Sequence, residues 1–280
     1  DVVIEAFACE LPTNYLQAMA HAEQAPCWIN LEYLTAEKWA ESCHGLASPH
    51  PSLPLIKHFF FPGFSDASGG LIREVDLMER REAFIKALPV KKEIEISLFC
   101  YESAPVKELI DLLSESTSPV LLHVPQGKPL AAVVAYLGGS GPWQMGALRI
   151  VPIPFVQQDE FDQLLWRCDI NFVRGEDSFV RALWAGRPFV WQIYEQEDDA
   201  HLVKLNAFLE RYNSASSAAN TKAIQSMFTA WNTGHGLRDA WLQFTDLQDE
   251  IADHAKKWSA KLCESPDLAA NLVKFCGNRL

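Results

Sequence analysis

Long apolar runs are missing from this sequence. None reaches the roughly 18 to 20 residues that a membrane-spanning helix requires, and no basic leader with a small-residue cleavage site precedes the first apolar strand. A Gly-rich loop ending in Lys and Ser or Thr is also missing, which argues against a Walker-type nucleotide hydrolase. We therefore expect a cytoplasmic protein that has no membrane segment.

Cysteine offers neither a disulfide framework nor a metal site. The seven cysteines are odd in number and scattered, mostly within apolar segments, as is typical of reduced thiols in a protein core. The nearest approach to a metal-ligand spacing is Cys43 beside His44, and no second pair of ligands accompanies it. We expect no metal ion and no cofactor.

Positive charge is scarce as well. The 24 Lys and Arg residues face 36 Asp and Glu residues, so the net charge is −12 at pH 7. A strongly negative protein repels nucleic acid, so we predict no nucleic-acid partner. A nucleotide would have to be held by local positive groups, and a protein partner would need basic residues facing this chain.

What the sequence does contain is an alternation of strands and helices. Its 280 residues are 49% hydrophobic, enough for one large or two ordinary domains. From residue 91 the order strand, helix, strand repeats up to the apolar run PFVWQIY at 188–194, which predicts a doubly wound parallel sheet whose ligands lie at the carboxyl ends of the strands. The remainder is predicted helical, with the acidic run EQEDD at 195–199 starting a solvated helix. The Gly-rich segment 138–146 follows a helix and precedes a strand, so we interpret it as a mobile connection and not as a phosphate loop.

The most informative segment is the junction INFVRGEDSFVRALWAGRPFVWQIY at 170–194. Here a strand leads through Arg174 and Gly175 to a helix that begins near Ser178. Free backbone N–H groups, the helix dipole, a guanidinium and a hydroxyl then meet at one point, which is how many folds hold a diphosphate. Glu176 and Asp177 in the same turn are either ordinary helix caps or groups with a chemical role.

This junction resembles the elongation factor P arginine rhamnosyltransferase family of GT-B glycosyltransferases. Four further strings in the same order carry the resemblance along nearly the whole chain. Each is weak alone, but together they are specific: DVVIEAFACELP at 1–12, WINLEYLTAE at 28–37, FFFPGFSDASGGLIRE at 59–74 and PIPFVQQDEFDQLL at 152–165.

The resemblance implies an α/β fold of the GT-B type, with two Rossmann-like domains facing a cleft. The expected division is 1–90 for the later part of the acceptor-side domain, 91–264 for the nucleotide-sugar domain, and 265–280 for a helix that returns to the first domain. Because the chain opens at Asp1 inside a strand, we also expect it to be a piece of a longer protein. The family's upstream aspartates, the candidates for the catalytic base, are not matched here.

The family transfers L-rhamnose from dTDP-β-L-rhamnose to an arginine of elongation factor P and inverts the anomeric centre. We therefore expect this translation factor as acceptor, dTDP-β-L-rhamnose as donor and no metal. Glu176 is the expected catalytic residue, because a carboxylate must orient the protonated guanidinium of the acceptor. It would assist the upstream aspartates.

The expected substrate-binding residues fall into two groups. Aromatic rings and an amide suit a thymine base, although aromatic side chains at strand ends also serve simply as core, and polar groups at the junction suit the diphosphate and sugar. Asp177 is expected to bind the donor or to hold the loop, and Tyr194 to bind the diphosphate or sugar or to cap the core. The first group comprises Phe99, Tyr101, Phe155, Gln158 and Phe161, and the second Arg174, Gly175, Asp177, Ser178 and Tyr194.

Two rival functions remain open from the sequence. An epimerase-like GT-B enzyme would use the same diphosphate site without a protein acceptor, and its product would be a free sugar epimer. A non-catalytic dTDP-binding module would be stabilised by the nucleotide without modifying any arginine.

Overall fold

The computed structural model describes residues 1–196 and 200–279, which form two compact units. The first unit comprises residues 1–74, 206–211 and the chain from Leu262 onward, and the second comprises 75–205 and 212–261. The division before residue 91 expected from the sequence differs from this one, since the segment 75–90 belongs to the second unit. Arg80 forms an ion pair with Asp159 of that unit (Nη1 to Oδ1, 2.8 Å), and Phe84 packs edge-to-face on Trp166.

The first unit is built on a four-stranded sheet in the order β1-β2-β4-β3. Neighbouring strands are parallel except β3 and β4. Ile29 and Phe60 are almost completely buried on this sheet, as the apolar strand patterns predict. Its strands and helices in chain order are β1 (Val2–Ala6), α1 (Thr13–Ala20), β2 (Cys27–Leu31), α2 (Lys38–Cys43), β3 (Ala47–Pro49) and β4 (Ile56–Phe60).

The second unit is built on a six-stranded sheet in the order β10-β9-β5-β6-β8-β7. All neighbouring pairs are parallel except β7 and β8. The elements are α3 (Leu77–Ala87), β5 (Ile94–Leu98), α4 (Val106–Ser114), β6 (Val120–Pro125), α5 (Lys128–Leu137), β7 (Trp143–Met145), β8 (Leu148–Ile153), α6 (Gln158–Arg167), β9 (Ile170–Arg174), α7 (Asp177–Ala185) and β10 (Phe189–Gln192).

Helices then follow, as the sequence predicts: α8 (Ala200–Tyr212), α9 (Ala218–Thr233), α10 (Leu237–Asp246) and α11 (Gln248–Leu262). Helices α9 and α10 cover β9, where Phe172 packs against Trp231 and Trp241 with ring centroids 4.4 and 6.3 Å apart. Residues 197–199 of the acidic run lie outside the described residues, so the predicted solvated helix start falls there.

The Gly-rich segment 138–146 contains a short strand. It ends in the edge strand β7, which forms an antiparallel hairpin with β8. Gly146 allows this turn: its φ is +54°, and a Cβ there would lie 2.3 Å from the Ser114 carbonyl oxygen. Residues 143–145 of this connection therefore belong to the sheet.

The last helix, α12 (Leu268–Gly277), packs on the sheet of the first unit. Cys276 joins Cys27, Ile29 and Phe60 in one buried cluster, and Phe275 packs beside them. The Leu268 N–H donates to the Leu71 carbonyl oxygen at 2.9 Å. These contacts attach the helix to both β2 and β4.

The described residues contain neither a candidate membrane helix nor a candidate metal cluster. Within 1–196 and 200–279, no helix combines the length and apolar character needed to span a bilayer. Over the same ranges, no group of three or more His, Cys, Asp or Glu side chains is arranged to hold a metal ion.

Candidate active site

A pocket of about 460 Å³ opens at the carboxyl ends of β5, β6, β8 and β9. This volume lies within the range of small-molecule sites, and the position is where parallel sheets bind ligands. The lining contains every expected site residue except Tyr194. It comprises Phe99, Tyr101, Pro125, Ile153, Pro154, Phe155, Val156, Gln158, Phe161, Arg174, Gly175, Glu176, Asp177 and Ser178.

The turn between β9 and α7 forms one wall of this pocket. Gly175 has φ +67°, and a Cβ there would lie 3.2 Å from the Tyr101 hydroxyl oxygen, so only glycine fits without strain. The Trp191 indole N–H donates to the Gly175 carbonyl oxygen at 2.7 Å, and the Trp191 ring stacks on Phe179 at 4.0 Å. Buried aromatic packing below the turn therefore holds the first residues of α7 at the pocket.

Arg174 lies against two aromatic rings. Its guanidinium carbon is 4.6 Å from the ring centroid of Phe99 and 4.5 Å from that of Tyr101, both within the range of cation–π contacts. Its Nε is buried without a hydrogen-bond partner among the described residues. The sequence suggested Phe99 and Tyr101 as rings that stack on the base. In this structure both contact Arg174, the residue expected to bind the diphosphate.

Burial raises the pKa of the Tyr101 phenol, an effect that the charge and hydrogen bond of Arg174 partly offset. The phenol is therefore protonated at neutral pH and can donate a hydrogen bond. The backbone N–H of Tyr101 donates to the Gln192 side-chain oxygen at 2.7 Å. The Gln192 amide in turn donates to the Ser103 hydroxyl at 3.1 Å. Gln192 is a buried polar residue that the sequence reasoning missed; a polar residue within the apolar run PFVWQIY was the available signal.

The acidic residues of the turn differ in surroundings. Glu176 precedes α7, and its side chain makes no capping hydrogen bond to the helix. Asp177 is largely exposed and lies 3.8 Å from the Arg181 guanidinium one turn later, a contact that fits a loop-holding role. Of the alternatives for these carboxylates, helix capping by the Glu176 side chain does not occur.

Ser178 is buried, and its hydroxyl is already engaged. It donates to the Arg174 carbonyl oxygen and accepts from the Arg174 N–H at 3.3 Å. The hydroxyl therefore closes the turn between β9 and α7, and it would have to leave these partners to donate to a phosphate.

The opposite wall is apolar and aromatic. Phe155 is 76% exposed, while Phe161 packs edge-to-face on Phe99 with ring centroids 5.9 Å apart. Gln158 starts α6 beside them. Tyr194 is also exposed and meets the Tyr101 ring edge-to-face at 5.7 Å, so it lies next to the lining residues.

Comparisons with known proteins identify the family to which this chain is related. Residues 1–277 match the family model of the elongation factor P (EF-P) rhamnosyltransferase EarP. Two curated relatives are named protein-arginine rhamnosyltransferase. The one from Pseudomonas putida is 44% identical over all of this chain and 79% of its own length, and the one from Pseudomonas aeruginosa is 45% identical over 98% of this chain and 78% of its own.

One solved structure, described as the structural basis for EarP-mediated arginine glycosylation of translation elongation factor EF-P, is also similar. It is 39% identical with a TM-score of 0.72, and the match covers 79% of this chain and 76% of that one. The predicted α/β fold of the GT-B type is confirmed by this match and the two sheets, as is the prediction of a protein-arginine rhamnosyltransferase. The chain belongs to the EarP family of EF-P rhamnosyltransferases.

Proposed function

We propose that this enzyme transfers L-rhamnose from dTDP-β-L-rhamnose to an arginine side chain of elongation factor P, with inversion at the anomeric carbon. The relatives' shared name supports the sugar and the amino acid, and the similar solved structure concerns the same acceptor. The donor nucleotide and the stereochemistry rest on the family resemblance together with the chemistry of the pocket.

The observation that carries the donor proposal is the pairing of two chemistries in one pocket. Phe155, Gln158 and Phe161 supply a stacking surface and an amide suited to a pyrimidine. Arg174 and the start of α7 supply a guanidinium and backbone N–H groups suited to a diphosphate. A nucleoside diphosphate sugar carries both groups, a few bonds apart.

The transfer itself breaks the bond between the anomeric carbon and the diphosphate oxygen and forms a bond from that carbon to an arginine nitrogen. The dTDP anion leaves, and the guanidinium proton passes to a carboxylate base. We assign Glu176 the role of orienting the guanidinium in support of that base, because the free guanidinium stays protonated far above neutral pH. Arg174 and the α7 N terminus stabilise the charge that develops on the departing diphosphate.

We propose no metal in this scheme; Arg174 and the helix N terminus supply positive charge at the diphosphate. We further propose that the enzyme works in the cytoplasm, where translation factors act. Its seven cysteines are all free thiols, which is consistent with a reducing compartment.

The test separates catalysis from binding within the turn. Glu176→Gln should abolish transfer while dTDP affinity stays within a few-fold, because the assigned role is orientation of the reacting groups. Arg174→Ala should weaken dTDP binding by about 1.5 to 3 kcal/mol, the scale of a hydrogen bond to a charged group. Transfer is read from the mass of elongation factor P after incubation with dTDP-rhamnose, and affinity from calorimetric titration with dTDP.

Equal losses of dTDP binding in both variants would contradict this division of roles. An unmodified elongation factor P together with a free sugar epimer would support an epimerase-like enzyme instead. Binding of dTDP without any sugar chemistry would support a binding module.

A further inference from the structure

A second cation lies beside the pocket without being part of its lining. Lys128 is the first residue of α5, directly after the end of β6. Its ammonium is 2.9 Å from the carboxylate of Glu102 and 5.9 Å from the ring centroid of Tyr101. Since Arg174 contacts the same ring, the two cations flank one aromatic side chain.

A second cation would offset the excess of negative charge at the pocket. Among the described residues of the lining, Arg174 is the only positively charged one, and Glu176 and Asp177 outnumber it there. A nucleoside diphosphate sugar brings two further negative charges, and the departing nucleotide brings more. One guanidinium and a helix dipole of about half a unit charge do not balance these groups.

Glu102 forms an ion pair with Lys128 beside the pocket. The pair is about half exposed, with 48% of the lysine side chain and 66% of the glutamate side chain accessible, so solvent screens it and it is readily exchanged. The hydrogen bond from Lys128 lowers the pKa of Glu102, and the charge of Arg174 acts in the same direction. Glu102 is therefore ionised at neutral pH and competes with a phosphate for the ammonium.

We propose that Lys128 is a second phosphate-binding residue, which exchanges its ion pair with Glu102 for a phosphate oxygen of the donor nucleotide. The inference rests on the proposed function, because it takes a thymidine diphosphate as the ligand. It assigns the end of β6 and the start of α5 to the donor site, alongside the turn between β9 and α7.

Calorimetric titrations with dTDP, dTMP and thymidine test this exchange. Lys128→Met should weaken dTDP about five- to twentyfold, dTMP less, and thymidine less than twofold, because only the phosphates contact the ammonium. Lys128→Arg should restore most of the dTDP affinity. Glu102→Gln should tighten dTDP about two- to threefold, since the competing carboxylate charge is gone.

The matched control is Lys107→Met. Lys107 is exposed on α4 of the same unit and also lies over a tyrosine ring, that of Tyr136 at 5.4 Å, but this ring is not part of the pocket. The control should leave all three affinities within twofold. Unchanged thermal midpoints without ligand would show that the variants are folded.

The titrations distinguish an error in the Lys128 contact from an error in the donor assignment. If the parent protein binds dTDP and Lys128→Met binds it equally well, the second phosphate contact is wrong and the donor assignment stands. An equal loss for thymidine would also overturn it, as would weaker dTDP binding in Glu102→Gln. If the parent protein does not bind dTDP at all, both the donor assignment and the inference fail.

Discussion

Phe155 and Phe161 line the same pocket but differ in how their rings are supported. The Phe155 side chain is 76% exposed, and its ring tip would lie 3.6 Å from a Cβ placed on Gly127. The Phe161 ring is partly buried and packs on Phe99. A large exposed aromatic ring at a pocket is unfavourable in water, so ligand stacking is the natural use for Phe155.

We predict that Phe155→Ala weakens dTDP and dTMP by about 1 to 3 kcal/mol each, the scale of base stacking on an aromatic ring, and leaves the free energy of unfolding unchanged. Phe161→Ala should reduce both affinity and stability, because its ring also packs on Phe99. Calorimetry with the two nucleotides and urea unfolding measure these effects. If both variants bind dTDP and dTMP as tightly as the parent protein, the thymine site lies elsewhere.

Among the elements, helix α12 shows how a segment distant in sequence completes a core. Phe275 lies edge-to-face on Phe60 at 5.4 Å and on His58 at 5.7 Å, and the Arg279 guanidinium lies 3.6 Å from its ring centroid. The helix also packs against the loop that follows β4, where the Asn271 amide donates to the Gly69 carbonyl oxygen at 3.1 Å. The β2–β4 face thus depends on the C-terminal helix for its cover.

We predict that Phe275→Ala lowers the free energy of unfolding by about 2 kcal/mol, less than for a completely buried phenylalanine because this ring is only partly buried. Val273→Ala in the same helix is the control: Val273 is 73% exposed, so its effect should stay within about 0.5 kcal/mol. Urea unfolding monitored by circular dichroism measures both. Equal effects of the two substitutions would contradict the assigned packing of Phe275 on β4.

At this scale the sequence predicted most elements, because apolar runs and helical periodicity are local signals. It missed β3 and β7, two edge strands of three residues each, because so short a run carries no period. The expected boundary before residue 91 also differs from the division into units, in which α3 belongs to the second unit. The charged sequence of α3 is typical of a solvated helix, but contacts of Arg80, Arg81 and Phe84 attach it to the second unit.

Across the whole molecule, several titratable groups resist protonation. Burial lowers the pKa of His44, His123 and His254. Burial alone would raise the pKa of Glu95, but hydrogen bonds from Arg167 and His123 outweigh it and lower that pKa. All these groups have folded-state pKa values below their unfolded values. Their contribution to stability is present above the unfolded pKa and is lost as the pH falls, from about 6.5 for histidine and about 4.5 for Glu95.

We predict that the thermal unfolding midpoint falls as the pH is lowered from 7 to 5, and that His44→Asn makes this decline shallower. The Nδ1 atom of His44 accepts the Phe61 N–H at 3.1 Å; asparagine keeps an acceptor there but cannot be protonated. His235→Asn, at an exposed position, is the control and should leave the pH profile unchanged. A midpoint that is constant between pH 7 and 5 would contradict the linkage.

By itself the sequence determined the α/β class and the family, and it named ten of the fourteen described residues that line the pocket. These follow from local patterns: apolar strands, a glycine turn before a helix, and motifs that each occupy one continuous segment of the sequence. Tertiary structure decided what each pocket residue contacts. Phe99 and Tyr101 flank Arg174, Ser178 bonds to the Arg174 backbone, and Gln192 holds Tyr101. Such contacts join strands far apart in sequence, and their geometry depends on strand order and side-chain packing, which no local pattern encodes.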